Sequence, residues 1–343
     1  TTAPRVNSSG LIESVSVNVP RLNYNSVGGN PNLLVEPQAT NLMTSSENFG
    51  NWSLKSGATV SVNTTVSPDG TLNADSINFD AQSVSRVERA YTSVGGIHTF
   101  SVYLKVSSGT KSVGIRAASG AITYVTVTSD WKRFLVTENV PAGTAQPIVV
   151  NFNAESFTVF AWGAQAELGS ASSYIPTTSS VVTRNADGLL KTGISSLIGQ
   201  QEGTIFIDCV VISANNTSAN IFNFEKNTAN TISIARDANA KKIKISIISN
   251  GVFLNFATVT NTYNLGDRLK IGLRYKSGDI KLFINSNQEI ASTSTYTFTQ
   301  SINEINLADR VNFFAFQEIT KINNFQIFKT PLTDAELISI TTI

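Results

Sequence analysis

The residue types that most often carry enzymatic chemistry are scarce in this chain of 343 residues. The one histidine, His98, lies where a predicted turn enters a strand, and no Gly-x-Ser-x-Gly elbow accompanies it. The one cysteine, Cys209, lies in an apolar, strand-like run and cannot form an intrachain disulfide. Acidic residues near the predicted strands, such as Asp208 and Asp279, stand alone rather than as the paired carboxylates of a glycosidase. We therefore expect that the chain is not an enzyme.

Aromatic and cationic residues at alternating positions indicate binding instead. Tyr103 and Lys105 alternate with the apolar residues of one predicted strand, and Arg116 and Tyr124 occupy the polar sides of the next two strands. Contact with a sugar needs a flat aromatic ring for stacking and planar hydrogen-bonding groups. We therefore predict a glycan-binding face on one side of one sheet, formed by Tyr103, Lys105, Arg116 and Tyr124 and extended by Tyr91.

The elements that must position these side chains are short strands. In 100–106, Phe100, Val102 and Leu104 point one way while Ser101 and Tyr103 point the other. Similar period-two segments, separated by Gly- and Pro-containing turns, continue from residue 41 to about residue 178. Short strands at near-regular spacing without a helical stretch predict an antiparallel β-sandwich over 41–178.

The second half of the chain repeats this pattern. Strand-like alternation runs from residue 202 to the end, and Asn250-Gly251 predicts a two-residue hairpin. Thr333-Asp-Ala-Glu336 is a capping box that predicts one short helix, Asp334 to Ile338. We therefore predict a second β-sandwich over 202–343. Residues 179–201 are predicted to form a linker, and residues 1–40, which glycines and prolines interrupt, an extended N-terminal arm.

Composition narrows the class of protein. Only 14% of the residues are charged, the formal net charge is +1, and the lysines and arginines are scattered. Such a surface offers no basic patch, so we expect no nucleic-acid partner. No run approaches about 18 apolar residues, so we expect no insertion into a membrane. The chain begins at Thr1 without methionine or a signal-like segment, which we interpret as a piece processed or excised from a larger protein.

Two segments bracket the first predicted sandwich. The opening segment is Leu33-Leu-Val-Glu-Pro-Gln-Ala-Thr-Asn-Leu42, and the closing segment is Ala161-Trp-Gly-Ala-Gln-Ala-Glu-Leu-Gly-Ser-Ala-Ser-Ser-Tyr-Ile-Pro-Thr177. Together with Val182-Thr-Arg-Asn-Ala-Asp187 they resemble a set found in tail proteins of tailed bacteriophages. Asn41-Leu-Met, Glu47-Asn-Phe49 and Trp52 are similar to the first strand of carbohydrate-binding-module jelly rolls.

The second half resembles the concanavalin-like, laminin-G-type sandwich. The similarity lies in 269–275, in 279–285, and in the ending from Phe325 to Leu337. Taken together, the chain resembles a phage tail fibre or receptor-binding adhesin. This resemblance implies an extracellular location in the virion tail, binding of host-surface polysaccharide, contact with other tail proteins and a homotrimer. No cofactor is required, but the resemblance implies a possible structural Ca²⁺ with Glu47 and Glu167 as ligands.

The predicted fold is therefore all-β, with a jelly roll followed by a concanavalin-like, laminin-G-like sandwich. The predicted function is non-enzymatic attachment to a glycan. Three alternatives stay open. The chain could be a purely structural virion protein whose sandwiches mediate protein–protein assembly, a polysaccharide depolymerase with carboxylates from distant positions, or a binding module of a secreted bacterial enzyme.

Overall fold

The computed structural model of the protein describes residues 2–25, 27–213, 219–227, 229–237, 241–307 and 319–343. Side chains are described at all of these except 213, 219–220, 225–227, 255–257 and 319. The chain forms two compact units. The first unit comprises Thr1–Asn30 and Gln38–Asn185, and the second unit comprises Pro31–Pro37 and Ala186–Ile343.

The first part of the chain is built of strands and one 3-10 helix. The 3-10 helix is Phe49–Asn51. The strands are β1 (Ala3–Val6), β2 (Ile12–Val15), β3 (Leu22–Asn23), β4 (Asn32–Val35), β5 (Ala39–Asn41), β6 (Leu54–Ser56), β7 (Ala58–Thr65), β8 (Ala74–Phe79), β9 (Ser85–Glu88), β10 (Tyr91–Lys105), β11 (Lys111–Arg116), β12 (Thr123–Val127), β13 (Lys132–Ala145), β14 (Ile148–Asn151), β15 (Phe157–Leu168) and β16 (Val182–Arg184).

The remainder of the described chain is also strands, ending in one α-helix. The α-helix, α1, is Asp334–Thr341. The strands are β17 (Leu190–Thr192), β18 (Glu202–Ser213), β19 (Ala219–Asn227), β20 (Asn230–Asp237), β21 (Lys242–Ser249), β22 (Val252–Thr258), β23 (Arg268–Lys276), β24 (Ile280–Ile284), β25 (Asn287–Ser292), β26 (Glu304–Asn306) and β27 (Ile319–Phe328).

The first unit is a sandwich of two five-stranded antiparallel sheets. The first sheet has the order β13-β10-β15-β8-β7, and the second sheet has the order β12-β11-β14-β9-β6. Inward residues of β10, such as Phe100 and Val102, share a fully buried core with Val113 and Ile115 of β11. Because side chains alternate along each strand, every second residue of both sheets points away from this core. The unit therefore has two outer faces, on opposite sides of the sandwich.

The second unit is also a sandwich of antiparallel strands. One sheet has the order β17-β26-β19-β20-β21-β22, and the other contains β25-β24-β23-β18-β27-β4 in that order. Between β21 and β22, Asn250 and Gly251 both have positive φ angles, 53° and 78°, as the predicted hairpin requires. Inward residues such as Ile207, Ile234 and Leu273 are fully buried between the sheets.

The helix α1 starts at the predicted capping box, in which the Thr333 side chain accepts from the Glu336 N–H. It continues to Thr341, beyond the predicted end at Ile338. A Cβ added at Gly272 of β23 would lie 3.0 Å from the Leu337 side chain, so the glycine allows the helix to pack closely on the sheet. Within the described ranges, no helix has the length and apolar character that a membrane span requires.

The prediction of an all-β chain of two antiparallel β-sandwiches with one short C-terminal helix is confirmed. The structure divides residues 1–40, which were expected to form a single extended arm. Strands β1 and β2 form a hairpin in the first unit. Residues Pro31–Pro37 belong to the second unit, because β4 pairs with β27 from Leu33 to Val35. The sequence pattern indicated that β4 could be a strand, but it did not indicate that β27 would be its partner.

Candidate functional site

The structure does not bring the five predicted glycan-binding residues onto one face. Tyr103 and Lys105 lie on β10 of the first sheet, whereas Arg116 and Tyr124 lie on β11 and β12 of the second sheet. All four alternate with buried core residues and so point outward, but on opposite sides of the sandwich. The expectation of one side of one sheet is wrong because the chain crosses from one sheet to the other between β10 and β11.

Tyr91 is not part of either outer face. It is 6% exposed and belongs to the core of the first unit. Its ring lies 5.8 Å from the His98 ring. Burial raises the pKa of Tyr91 to about 12, and the Glu138 carboxylate adds to the effect. Tyr91 therefore packs in the core and is closed to a ligand.

The outer side of the first sheet is crossed by residues 169–177 of the closing segment. The Gln165 side chain accepts from the Ile175 N–H at 2.6 Å. The Glu167 carboxylate accepts from the Ser172 N–H at 2.9 Å and from its hydroxyl at 2.5 Å. Arg133 donates to the Ser172 carbonyl at 2.6 Å. We call this side the covered face.

Asn41 joins the opening segment to the closing segment. Its side-chain oxygen accepts from the N–H groups of Met43 (3.1 Å) and Ala166 (3.2 Å). Its amide nitrogen donates to the carbonyls of Ala164 (3.2 Å) and Ile175 (2.8 Å). All four bonds are buried, so one side chain satisfies four backbone groups. The two segments that the sequence singles out therefore close the first sandwich.

Tyr103 lies within the covered face. Its ring packs edge-on against Trp162 at 5.5 Å, and the Arg133 guanidinium lies 5.7 Å from the ring centroid. Burial raises the pKa of the Tyr103 hydroxyl. Lys105, farther along β10, places its ammonium 5.0 Å from the ring of Trp131 and 5.7 Å from that of Phe160. Both predicted binding residues are thus half-buried and in contact with aromatic neighbours of their own chain.

The two carboxylates predicted as calcium ligands have protein partners. Both oxygens of Glu167 accept from Ser172. The Glu47 carboxylate accepts from the Tyr174 hydroxyl at 3.0 Å, and burial, with the nearby Asp69 and Asp75 charges, raises its pKa. In the part of the chain that the structure describes, no group of three or more His, Cys, Asp or Glu side chains is arranged to hold a metal ion. Calcium binding stays a prediction.

The outer side of the second sheet presents exposed aromatic rings. Tyr124 of β12 is 56% exposed, and Phe152, directly after β14, is 38% exposed. Their ring centroids lie 6.4 Å apart at an interplanar angle of 64°. We call this side, with Tyr124, Phe152 and Arg116, the Tyr124 face. Phe152 was not predicted as a site residue, although its alternation with Val150 places both on the same side of the strand.

Gly114 lies on β11 between Tyr124 of β12 and Val150 of β14. It is the register partner of Tyr124 on one side and of Val150 on the other. A Cβ at this position would lie 2.6 Å from Ile122 Cγ2 and 2.7 Å from Val150 Cγ1. Because real Cβ atoms do not approach so closely, any side chain here would displace both neighbours. The glycine therefore shapes the floor of the Tyr124 face.

The charged groups of the Tyr124 face differ in their pairing. Arg116 is half-buried, and its Nε is shielded from solvent without a hydrogen-bond partner in the described structure. Arg86 and Glu88, on the neighbouring strand β9, form an ion pair with each other. The face thus combines two exposed rings with one guanidinium that has unused donors, an arrangement suited to stacking and hydrogen bonding.

The groups that could act as nucleophile or base lie away from this face. The Ser93 hydroxyl lies 3.4 Å from His98 Nε2, but these residues are only 3% and 0% exposed. His98 Nδ1 also contacts the Gly96 carbonyl at 3.1 Å. Cys209 is buried in the core of the second unit. Since a substrate cannot reach these side chains in the folded chain, their arrangement fits packing rather than catalysis.

Comparisons with known proteins find similar solved structures but no matching protein family. No protein-family model matches the chain. No curated protein matches it. Among solved structures, the CBM40 of an IT-sialidase from Ruminococcus gnavus is similar, with 15% identity over 45% of this chain and 98% of that chain, at a TM-score of 0.37.

Two further solved structures are similar over about half of the chain. Domain 4 of AbnA, a GH43 extracellular arabinanase from Geobacillus stearothermophilus solved with arabinotriose, has 14% identity over 51% of this chain and 83% of that chain, at a TM-score of 0.40. A heptameric SAP-like pentraxin from Limulus polyphemus has 8% identity over 41% of this chain and 70% of that chain, at a TM-score of 0.35.

Proposed function

We propose that the chain is a non-enzymatic carbohydrate-binding protein whose first unit holds a saccharide on the Tyr124 face. The observation that carries this proposal is the exposed pair of Tyr124 and Phe152 rings on the same side of the sheet as Arg116, whose Nε has no hydrogen-bond partner in the described structure. Exposed aromatic rings are costly in water, and a sugar ring stacked on them would remove their apolar surface from solvent. The guanidinium would supply hydrogen bonds that orient the sugar.

We further propose that this binding serves attachment of a phage tail to a bacterial surface. The proposal includes an extracellular, virion location, assembly as a homotrimer and contact with other tail proteins. It is supported by the resemblance of the opening segment, the closing segment and 182–187 to segments of tail proteins. In the structure, Asn41 of the opening segment hydrogen-bonds to the closing segment, so two of these segments contact each other.

A second candidate function is protein–protein assembly without sugar binding. The observation that favours it is a group of exposed aliphatic side chains in the first half of β10 and at the C-terminal end of β15. Val94 is 74% exposed, and Ile97 and Leu168 are 49% and 58% exposed. The Gly169 N–H donates to the Ile97 carbonyl, so Ile97 and Leu168 come from neighbouring strands at one end of the sheet. Exposed apolar patches of this kind are typical of protein contacts.

The experiment that separates these functions is a binding screen with the full chain. The probes are a glycan array and polysaccharides isolated from bacterial envelopes. We expect a positive signal that falls about ten- to a hundredfold in Tyr124→Ala and in Phe152→Ala, as loss of a buried aromatic contact predicts. Phe253→Ala is the matched control, because Phe253 is also 56% exposed but belongs to the second unit.

Three results would contradict the proposal. Absence of binding to every probe would leave the assembly function as the better explanation. Binding that is equally strong in Tyr124→Ala and wild type would move the site elsewhere in the chain. Release of reducing ends from a bound polysaccharide would establish a depolymerase. Thermal unfolding of each variant, compared with wild type, checks that a lost signal is not a lost fold.

A further inference from the structure

We infer that the saccharide bound by the Tyr124 face is acidic, and that its carboxylate is held by Arg116. This inference rests on the proposed function and names the ligand class of the same face. It goes beyond sugar binding, because a neutral saccharide would satisfy the aromatic rings equally well. The evidence comes from the position, the hydrogen bonding and the charge surroundings of Arg116.

The strand register places Arg116 near Tyr124. Gly114, two residues before Arg116, is the direct partner of Tyr124, so Arg116 and Tyr124 are diagonal neighbours on the same side of the sheet. The Cα atoms of such neighbours are about 7–8 Å apart across the two strands, within reach of long side chains. A sugar ring stacked on Tyr124 would therefore place a ring substituent close to the Arg116 guanidinium.

The guanidinium of Arg116 has donors to offer. Its Nε is shielded from solvent and has no hydrogen-bond partner in the described structure. Because Nε itself is shielded, a ligand would reach the half-buried guanidinium through its two terminal nitrogens. The planar guanidinium presents its donors in a fork that matches both oxygens of a carboxylate. Hydroxyl groups of a neutral sugar can accept hydrogen bonds from this fork, but they carry no charge to match it.

The charged groups around Arg116 have partners in the chain. Across the sheet from Arg116, the register leads to Glu88, which pairs with Arg86. The Glu138 carboxylate accepts from two backbone N–H groups, one of them that of Ala117 at 2.7 Å. Arg116 itself takes part in no ion pair in the described structure, so its positive charge is not paired within the chain. An anionic substituent is the group that this charge favours most.

The test compares acidic polysaccharides with their own neutral forms. The probes are bacterial capsular polysaccharides that contain uronic or nonulosonic acids, each beside a carboxyl-reduced preparation of the same polymer. We expect the full wild-type chain to bind at least one acidic polymer ten times or more tightly than its reduced form. This preference should weaken as salt is added, because the pair is partly exposed to solvent.

Substitutions assign the preference to Arg116. Arg116→Gln should bind the acidic and the reduced polymer equally, and Arg116→Lys should keep part of the preference because it keeps the charge without the fork. Lys105→Gln removes the same charge from the opposite face and should behave as wild type. Unfolding midpoints measured on all three variants confirm that each is folded.

The outcomes distinguish this inference from the proposed function. Equal binding of acidic and reduced polymers by wild type, with binding still lost in Tyr124→Ala, overturns the acidic ligand and leaves the sugar-binding face. An acidic preference that survives in Arg116→Gln but disappears in Lys105→Gln overturns the role of Arg116. Absence of binding to every polymer overturns the proposed function, and the inference with it.

Discussion

The two outer faces of the first unit each carry a tyrosine and an arginine, but these pairs meet different surroundings. On the covered face, Arg133 lies over Tyr103 and donates to the Ser101 hydroxyl at 2.8 Å and to the Ser172 carbonyl at 2.6 Å. On the Tyr124 face, Arg116 has an Nε without a partner, and the tyrosine ring is more than half exposed.

This difference separates a face that its own chain covers from a face with exposed rings. Residues 169–177 of the closing segment hydrogen-bond to side chains of the covered face through carbonyl, N–H and hydroxyl groups. The polar side chains of this face are therefore paired within the chain. On the Tyr124 face, Tyr124 and Phe152 stay 56% and 38% exposed. The proposed function assigns these rings to a saccharide. The predictions below test this contrast, beginning with the largest expected effect.

The largest effect is expected on the covered face, from Asn41→Ala. The substitution removes four buried hydrogen bonds and leaves the groups they satisfied without partners. We expect the free energy of unfolding to fall by about 3–5 kcal/mol. Urea unfolding of the full chain measures it, with Asn153→Ala, at an exposed loop position, as the control.

Polysaccharide binding by the folded fraction of Asn41→Ala should stay close to wild type, because the Tyr124 face lies on the other sheet. A loss of stability below about 1 kcal/mol would show that the closing segment is held by other contacts. A loss of binding in protein that is still folded would show that the two faces are not independent.

A smaller effect is expected on the Tyr124 face, from Gly114→Ala. The new Cβ would collide with Ile122 and Val150, whose branched side chains adjust little. We expect a loss of about 1–3 kcal/mol in unfolding free energy and weaker polysaccharide binding, because the displaced side chains lie next to the pairing of Gly114 with Tyr124. Gly188→Ala is the control, since a Cβ there meets no atom within 4 Å. Unchanged polysaccharide binding would show that binding does not depend on the packing around Gly114.

The third prediction concerns the pH dependence of the covered face. Burial raises the pKa of Glu167 above its ordinary value of 4.5. As pH rises above 4.5, the unfolded state ionises first, so the unfolding free energy falls until the folded carboxyl has also ionised. The stability contribution of the protonated carboxyl is thus present at low pH and lost toward neutral pH.

Glu167→Gln should remove this dependence. The unfolding free energy of the variant minus that of wild type should increase from pH 4 to pH 7, by about 1.4 kcal/mol for each unit by which the pKa is raised. Glu47 and Asp75, whose pKa values burial also raises, remain in both proteins and cancel in the difference. Parallel pH profiles for the two proteins would contradict the prediction.

The smallest effect is expected from calcium. Both predicted ligands accept hydrogen bonds from the closing segment, Glu167 from Ser172 and Glu47 from Tyr174. Since these bonds already satisfy the carboxylates, adding calcium or a chelator should leave the Tm unchanged. A rise in Tm with calcium that disappears in Glu47→Gln would show instead that the metal implied by the sequence resemblance binds at this carboxylate.

Local patterns predicted much of this fold. Alternation along 100–106 separated Phe100 and Val102 from Tyr103, and the structure confirms this division between core and outer face. Asn250-Gly251 and the capping box at Thr333 likewise predicted the hairpin and the helix start. These features depend on the residue itself and its near neighbours, so they can be read from a short stretch of sequence.

The candidate site depended on contacts that no short stretch contains. Alternation shows that Tyr103 and Tyr124 both point outward, but not that their strands belong to opposite sheets. It also cannot show that the Ser172 carbonyl, far along the chain, accepts a hydrogen bond from Arg133 while Arg116 keeps a donor without a partner. The amino-acid sequence by itself determined which side chains leave the core. Only the tertiary structure decided which of them the chain covers, because pairing of distant strands sets what each outer face meets.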